Sequence, residues 1–301
     1  MTSTYPVIIF CFKRLDHLKQ TIECLKENYL APETDLYIFS DAARYHEEYQ
    51  EVDNVRKYLR SVTGFKSVTI KEAPKNKGLA KSIISGVTEV LNLHDAAIVL
   101  EDDLLTSKNF LNFMNQSLVH YQNNLKVFSV AGYTFPIRTT DDFQYDNYFT
   151  LRGSSWGWGT WKNRWETVDW DVSDWKEFSN DKAAQREFNR MGSDLSGMLA
   201  KQMEGKISSW AIRWCYHQFK TSTYTVFPTV SKIQNIGFGS AATHTSAVMQ
   251  SRFATVLDTS GKTNFSFNDK VTLQPDIIKQ FINRYSVLTR LKYKAMGYIF
   301  K

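Results

Sequence analysis

Residues Ala96-Ala97-Ile98-Val99-Leu100-Glu101-Asp102-Asp103 set five consecutive apolar side chains directly before three carboxylates. A short unbroken apolar run that stops at polar residues reads as a strand buried on both faces, as in a parallel sheet covered by helices. Three adjacent carboxylates repel one another and gain nothing from a core, so their place at the end of such a strand calls for a bound cation. In open α/β sheets, ligands collect in the crevice beyond the C-terminal ends of the strands, and such a crevice suits a nucleotide. Hard carboxylate oxygens favour Mg2+ or Mn2+, which take one or two protein carboxylates and leave their other positions to water and substrate phosphates.

Working outward, short apolar runs alternate with helix-period segments. Val7 to Phe12 is a buried strand, and Leu18, Ile22 and Leu25 share one face of the helix that follows. Leu36 to Ser40 is a second strand that delivers Asp41 at its end, a charged helix spans about 47–59, and Ser67 to Lys71 is a third strand. After Asn76-Lys77-Gly78, the residues Leu79, Ile83, Val87 and Val90 or Leu91 line one helical face. Beyond the triplet, Phe110, Leu111, Met114 and Leu118 face inward from another helix, and Val127 to Ala131 is a further strand. This alternation predicts an α/β fold with a mainly parallel sheet flanked by helices. Lys13-Arg14, Asp41 and Asn76-Lys77-Gly78 all fall on the sheet edge that carries Glu101, Asp102 and Asp103.

Beyond Tyr133 the clean alternation fades and aromatics accumulate: all eight tryptophans lie between Trp156 and Trp214. Tyr224 to Pro228 reads as a short strand, 235–246 as a Gly-, Ser- and Thr-rich loop, and 250–272 as a mobile loop or lid. The formal charge of +6 is local, because residues 276–301 hold six Lys or Arg against one Asp. The nearly neutral remainder speaks against a nucleic-acid binder. No apolar run reaches the roughly 18 residues of a membrane span. Met1 leads straight to Val7 without a charged leader, so a cytoplasmic body is expected. The three cysteines, Cys11, Cys24 and Cys215, lack metal-type spacing and read as reduced thiols.

The Glu-Asp-Asp-Leu sequence after an apolar strand, with a phenylalanine-containing helix behind it, resembles the metal-binding motif of GT-A fold glycosyltransferases. It is similar to N-acetylglucosaminyltransferase I type enzymes and related bacterial capsule and O-antigen transferases. Supporting pieces are Ile9-Phe10-Cys11-Phe12-Lys13-Arg14, Phe39-Ser40-Asp41 and Asn76-Lys77-Gly78-Leu79-Ala80. The resemblance implies a Rossmann-like GT-A fold and transfer of a hexose or N-acetylhexosamine from a nucleotide-diphosphate sugar, a UDP-sugar first, to a glycan or lipid-linked glycan. It also implies that Asp103 binds the metal, Mn2+ or Mg2+, and that Asp102 and Glu101 meet ribose or sugar. Asp41 would meet the base, with Arg14 and Lys81 near the nucleotide. The expected organisation is a nucleotide-sugar-binding α/β region over 1–132, an acceptor-binding and catalytic region over 133–274, and a basic amphipathic helix over 275–301.

An inverting transfer, the favoured course, needs a carboxylate or His to accept a proton from the acceptor hydroxyl. The related enzymes carry acids between two tryptophans where this chain has Ser208-Ser209-Trp210-Ala211-Ile212-Arg213-Trp214, which has none. Asp194 and Glu204 are the replacements favoured by position. In Gly153-Ser154-Ser155-Trp156-Gly157-Trp158-Gly159-Thr160-Trp161, glycines and indoles suit a loop that stacks on a sugar, so Trp156 and Trp158, with Trp210 and Arg213, are expected at the acceptor. His244 is a possible late metal ligand or phosphate contact. In the tail, Ile277, Ile278, Phe281, Ile282, Leu288 and Leu291 interleave with basic residues, which predicts a helix lying on the inner face of an anionic cytoplasmic membrane. Two other functions compete. A nucleotidyltransferase would share the carboxylates but should carry a Gly-rich N-terminal loop, and a non-catalytic carbohydrate-binding protein would explain the tryptophans but leave the triplet unexplained.

Overall fold

The apolar run at 96–100 is strand β4 (Ala96–Glu101), and every one of those five residues is fully buried. In the computed structural model, which describes residues 4–237 and 252–299, β4 pairs in parallel with β1 (Val7–Cys11). Strand β2 (Asp35–Ser40) pairs in parallel with β1 on its other side, and β3 (Ser67–Glu72) follows β2. Val7, Ile9 and Cys11 point into one hydrophobic cluster, while Ile8 and Phe10 point into another. Helices α1 (Leu15–Lys26), α2 (Tyr49–Leu59) and α4 (Phe110–Tyr121) cover the first face, and α3 (Leu79–Leu91) covers the second. Each of these aliphatic side chains contributes about 1.5–3 kcal/mol through burial, which is why strands apolar on both faces lie at the centre.

The sheet continues without a break past residue 132. Strand β8 (Trp158–Trp161) inserts antiparallel between β4 and β6 (Val127–Ala131). Beyond β6 lie β9 (Tyr224–Pro228), parallel to it, and β7 (Asn147–Thr150), antiparallel at the edge. The result is one eight-stranded sheet in the order β3-β2-β1-β4-β8-β6-β9-β7, mixed and mainly parallel, as the alternation predicted. Two short strands, β5 (Leu104–Thr106) and β10 (Ile233–Asn235), form a separate antiparallel pair. The aromatic segment supplies α5 (Lys162–Trp165), α6 (Trp175–Asn180), α7 (Lys182–Phe188), α8 (Leu195–Met203) and α9 (Trp210–Lys220).

Three expectations are corrected here. Trp158 to Trp161 are not part of a sugar-binding loop but a buried strand, where indoles and a threonine fit the pleated surface well. Gly159 allows the close approach, since a β-carbon there would lie 3.1 Å from the Ala97 carbonyl oxygen. The described part of 250–272 is a strap fastened across the body and not a lid. Asn109 donates to Asp258 at 2.9 Å, Gln116 to the Thr263 carbonyl at 2.6 Å and Asn268 to Asn147 at 2.9 Å, while Lys232 forms a buried ion pair with Asp258. The tail is two helices, α10 (Pro275–Tyr285) and α11 (Val287–Ile299), separated by Ser286 in extended conformation. Ile277, Ile278 and Phe281 pack into the core, with the Phe281 ring 5.3 Å from Phe135 and 5.5 Å from Phe227, so these three apolar residues of α10 are turned to the protein, while Ile282 is exposed.

Candidate active site

The triplet stands in the middle of the crevice at the C-terminal edge of the sheet. Asp102 and Asp103 are buried, at 4% and 8% exposure. The Arg14 guanidinium, just beyond β1, reaches both: its Nη2 pairs with Asp102 Oδ1 and donates to Asp103 Oδ2 at 2.9 Å. The Phe12 amide donates to Asp102 Oδ2 at 3.4 Å. From the far end of the chain, Asn235 Nδ2 approaches Asp103 Oδ1 at 3.5 Å, and the Ile236 amide donates to the Asp103 carbonyl at 2.9 Å. Burial, then the charges of Asp103 and Asp102, push the Glu101 carboxyl up to about 8. Burial pushes Asp102 up to about 6, against the pull of Arg14. One guanidinium therefore does not neutralise two buried acids and a half-buried third.

The triplet offers a metal ion carboxylate oxygens alone. The oxygens are hard, negative and undercompensated, as Mg2+ or Mn2+ requires. Among the described residues no three acidic, imidazole or thiolate groups converge as a ready-made cage. The residues thus fit a metal held by one or two carboxylates and completed by substrate phosphates and water. His244 lies outside the described residues.

Two recesses flank the triplet along the same edge. On the β2 and β3 side is a cleft of about 300 Å³ lined by Ser40, Asp41, Ile70, Pro74, Lys77 and Ser82. Asp41 builds its wall: both carboxylate oxygens accept backbone amides, from Lys77 and Gly78 at 2.9 Å each, and Gly78 takes φ +74° where the loop turns into α3. Lys81, one residue before Ser82 on α3, is exposed. On the other side is a cavity of about 190 Å³ among Tyr133, Ser154, Ser155, Trp156, Phe253 and Tyr285. Trp158 pairs with Val99 and with Ala131, so residues 154–157 and 133 lie just past the ends of β4 and β6, beside Glu101.

No family model matches the chain, and no curated protein matches it. Among solved structures it is similar to TarS of S. aureus, with 11% identity over 56% of this chain and 30% of that one, at a TM-score of 0.38. For residues 1–349 of TarS the figures are 9%, 78%, 61% and 0.44. A mannosyltransferase from Pyrobaculum calidifontis, solved in complex with GDP-Man and Mn2+, gives 11%, 56%, 48% and 0.36. This chain thus spans less than two thirds of each of them.

The remaining expected site residues divide sharply. Trp156 lines the cavity, with its ring 4.6 Å from Tyr133 and 5.7 Å from Phe253. Trp158 and Trp210 are 1% and 3% exposed and stack on each other at 4.8 Å within a cluster that includes Trp165 and Trp214. They have no face for a sugar, which corrects the expectation for both. Arg213 donates to the Trp170 carbonyl at 2.8 Å and so braces that cluster. Asp194 is gripped by Arg152 through two parallel hydrogen bonds of 2.9 Å. Burial works to raise its carboxyl, but the Arg152 charge and hydrogen bonds hold it below the ordinary value. Glu204 is exposed at the end of α8 and pairs with Lys206 at 2.7 Å. Asp194 thus does not stand free to accept an acceptor proton, which corrects that expectation, while Glu204 is held only by a surface ion pair. Asn235 and Gly237, which touch Asp103, escaped sequence reading because nothing local to 235–237 announces a partner more than a hundred residues earlier.

Proposed function

We propose that this chain is a metal-dependent glycosyltransferase of the GT-A kind, moving a sugar from a nucleotide-diphosphate sugar to a glycan or lipid-linked glycan acceptor. The observation that carries the reading is the placement of three undercompensated carboxylates, two of them buried, between a polar cleft and an aromatic cavity on one sheet edge. The cleft beside Asp41 and Lys77 would take the nucleoside, with its wall formed by the loop that Asp41 holds. The aromatic cavity at Trp156 would take the acceptor sugar, where an indole offers an apolar face and Ser154 and Ser155 offer hydroxyls. Asp103 would hold Mn2+ or Mg2+, and a metal bound there would neutralise charge on the departing nucleoside diphosphate. Arg14 supplies a second positive charge at the same place, and Glu101 and Asp102 shape the site around the donor sugar and ribose.

A carbohydrate-binding module is not favoured, because most of its supposed stacking surface is the buried tryptophan cluster. A nucleotidyltransferase would show binding of a nucleoside triphosphate in preference to a diphosphate sugar. The proposal includes a UDP-sugar donor, an inverted anomeric outcome and a role in surface polysaccharide assembly. It also places the basic helix α11 on an anionic membrane, with exposed Leu288 and Leu291 toward the lipid. Among the described residues no helix is long and apolar enough to cross a membrane.

Calorimetric titration of nucleotide sugars, with and without Mn2+, tests the central claim. Binding to the parent protein should need the metal, and Asp103→Ala should abolish that dependence while the far-ultraviolet spectrum is unchanged. Equal affinity with and without Mn2+ in the parent would overturn it.

A further inference from the structure

Arg14 uses one nitrogen, Nη2, to reach carboxylate oxygens of both Asp102 and Asp103. Its side chain is 26% exposed, while those of Asp102 and Asp103 are 5% and 12% exposed, so the charge it meets is far less hydrated than its own approach path. A guanidinium so placed occupies oxygens that a metal bound to the same carboxylates would need. Like charges at such separation in a half-buried site repel strongly, so full occupation by both is unfavourable. The backbone around Arg14 is fastened: the Leu18 amide donates to the Arg14 carbonyl at 3.0 Å as α1 begins. The side chain can therefore swing while its anchor stays. A planar guanidinium also binds phosphate oxygens in two-pronged fashion, as well as it binds carboxylates.

We propose that Arg14 is a resident counter-cation that holds the metal's place at Asp102 and Asp103 until donor arrives, and is then handed to the donor diphosphate. The inference rests on the metal-dependent reading above. Its consequence is linkage: the metal alone must displace Arg14 and binds weakly, whereas metal and diphosphate together give Arg14 a new partner and bind tightly. Each ligand raises the affinity of the other by the same factor.

The test is Mn2+ titration by calorimetry on the full chain, with uridine diphosphate present or absent. Three proteins are compared: the parent, Arg14→Gln, and Arg14→Lys, which keeps the charge. Without the nucleotide, Arg14→Gln should bind Mn2+ about tenfold more tightly than the parent, and Arg14→Lys should resemble the parent. Uridine diphosphate should raise the parent's Mn2+ affinity about tenfold or more and that of Arg14→Gln much less. Equal Mn2+ affinity in the parent and Arg14→Gln would overturn the resident cation and leave the metal reading standing. Absence of Mn2+ binding in every protein, with or without uridine diphosphate, would overturn both.

Discussion

Gly237 lies so close to Asp103 that a β-carbon on it would fall 2.1 Å from Oδ2. The Asn235 side chain holds the Gly237 amide in place with a 2.8 Å hydrogen bond. Gly237→Ala should therefore push the Asp103 carboxylate out of position without opening the core. Metal-dependent nucleotide binding should weaken by about tenfold to a hundredfold, while urea stability falls by about 1–3 kcal/mol. Calorimetry and denaturation on the same preparation separate the two effects, and unchanged binding would show that Asp103 is not the operative ligand.

The acidic triplet also sets a pH dependence. Glu101 is pushed up to about 8 and Asp102 to about 6, whereas carboxyls of an unfolded chain titrate near ~4. Between those limits the folded chain binds more protons than the unfolded one, so the metal-free protein loses stability as pH rises from about 4 toward 8. The melting temperature without metal should decline across that window, and Asp102→Asn should flatten the decline. Asp194 and Asp258, both held below the ordinary value, act with the opposite sign and only below about pH 4. A melting temperature that climbs from pH 5 to 8 in chelator would contradict the buried-charge account.

Trp158 and Trp156, two residues apart, should respond in opposite ways. Trp158→Ala removes the indole that stacks on Trp210 and should cost about 3–5 kcal/mol in urea unfolding. Trp156→Ala should cost less stability and instead raise the KM for acceptor. Finding the acceptor defect in a stably folded Trp158→Ala would reverse their assignments.

The two C-terminal helices should separate in the same manner. Phe281→Ala should cost about 3–5 kcal/mol, because its ring fills the space between Phe135 and Phe227. Removal of residues 287–301 should leave the melting temperature within a few degrees and reduce sedimentation with anionic vesicles. Undiminished sedimentation would place membrane contact elsewhere on the molecule.

The parallel half of the sheet was legible because its strands are apolar on both faces and its helices keep a regular stripe. Leu18, Ile22 and Leu25, for example, are all fully buried where their spacing put them. The acidic triplet was legible for the complementary reason, that charge directly after a buried strand violates the pattern around it. What stayed hidden depends on distant partners. Trp158 looked like a sugar platform because an indole flanked by glycines has the same local appearance in a loop and in a crowded strand. Asp194 looked available because its partner, Arg152, lies 42 positions away. Lys232 and Asp258 look like ordinary surface charges in sequence, yet their side chains are 5% and 6% exposed.

Strand β10 pairs Ile233 with Thr106 and Asn235 with Leu104, so the loop that carries the carboxylates is braced by chain made more than a hundred residues later. During synthesis β1 to β4 can pair with one another as they emerge, but β6 waits for β8 and β9, and β5 waits unpaired until β10 emerges. Such a long-range closure is a slow, late step in folding. A fragment ending at residue 132 would carry every carboxylate of the triplet and still lack the brace that orders Asp103. Competence to bind donor would thus be conferred on the nascent polypeptide only once residues 233–237 have been made.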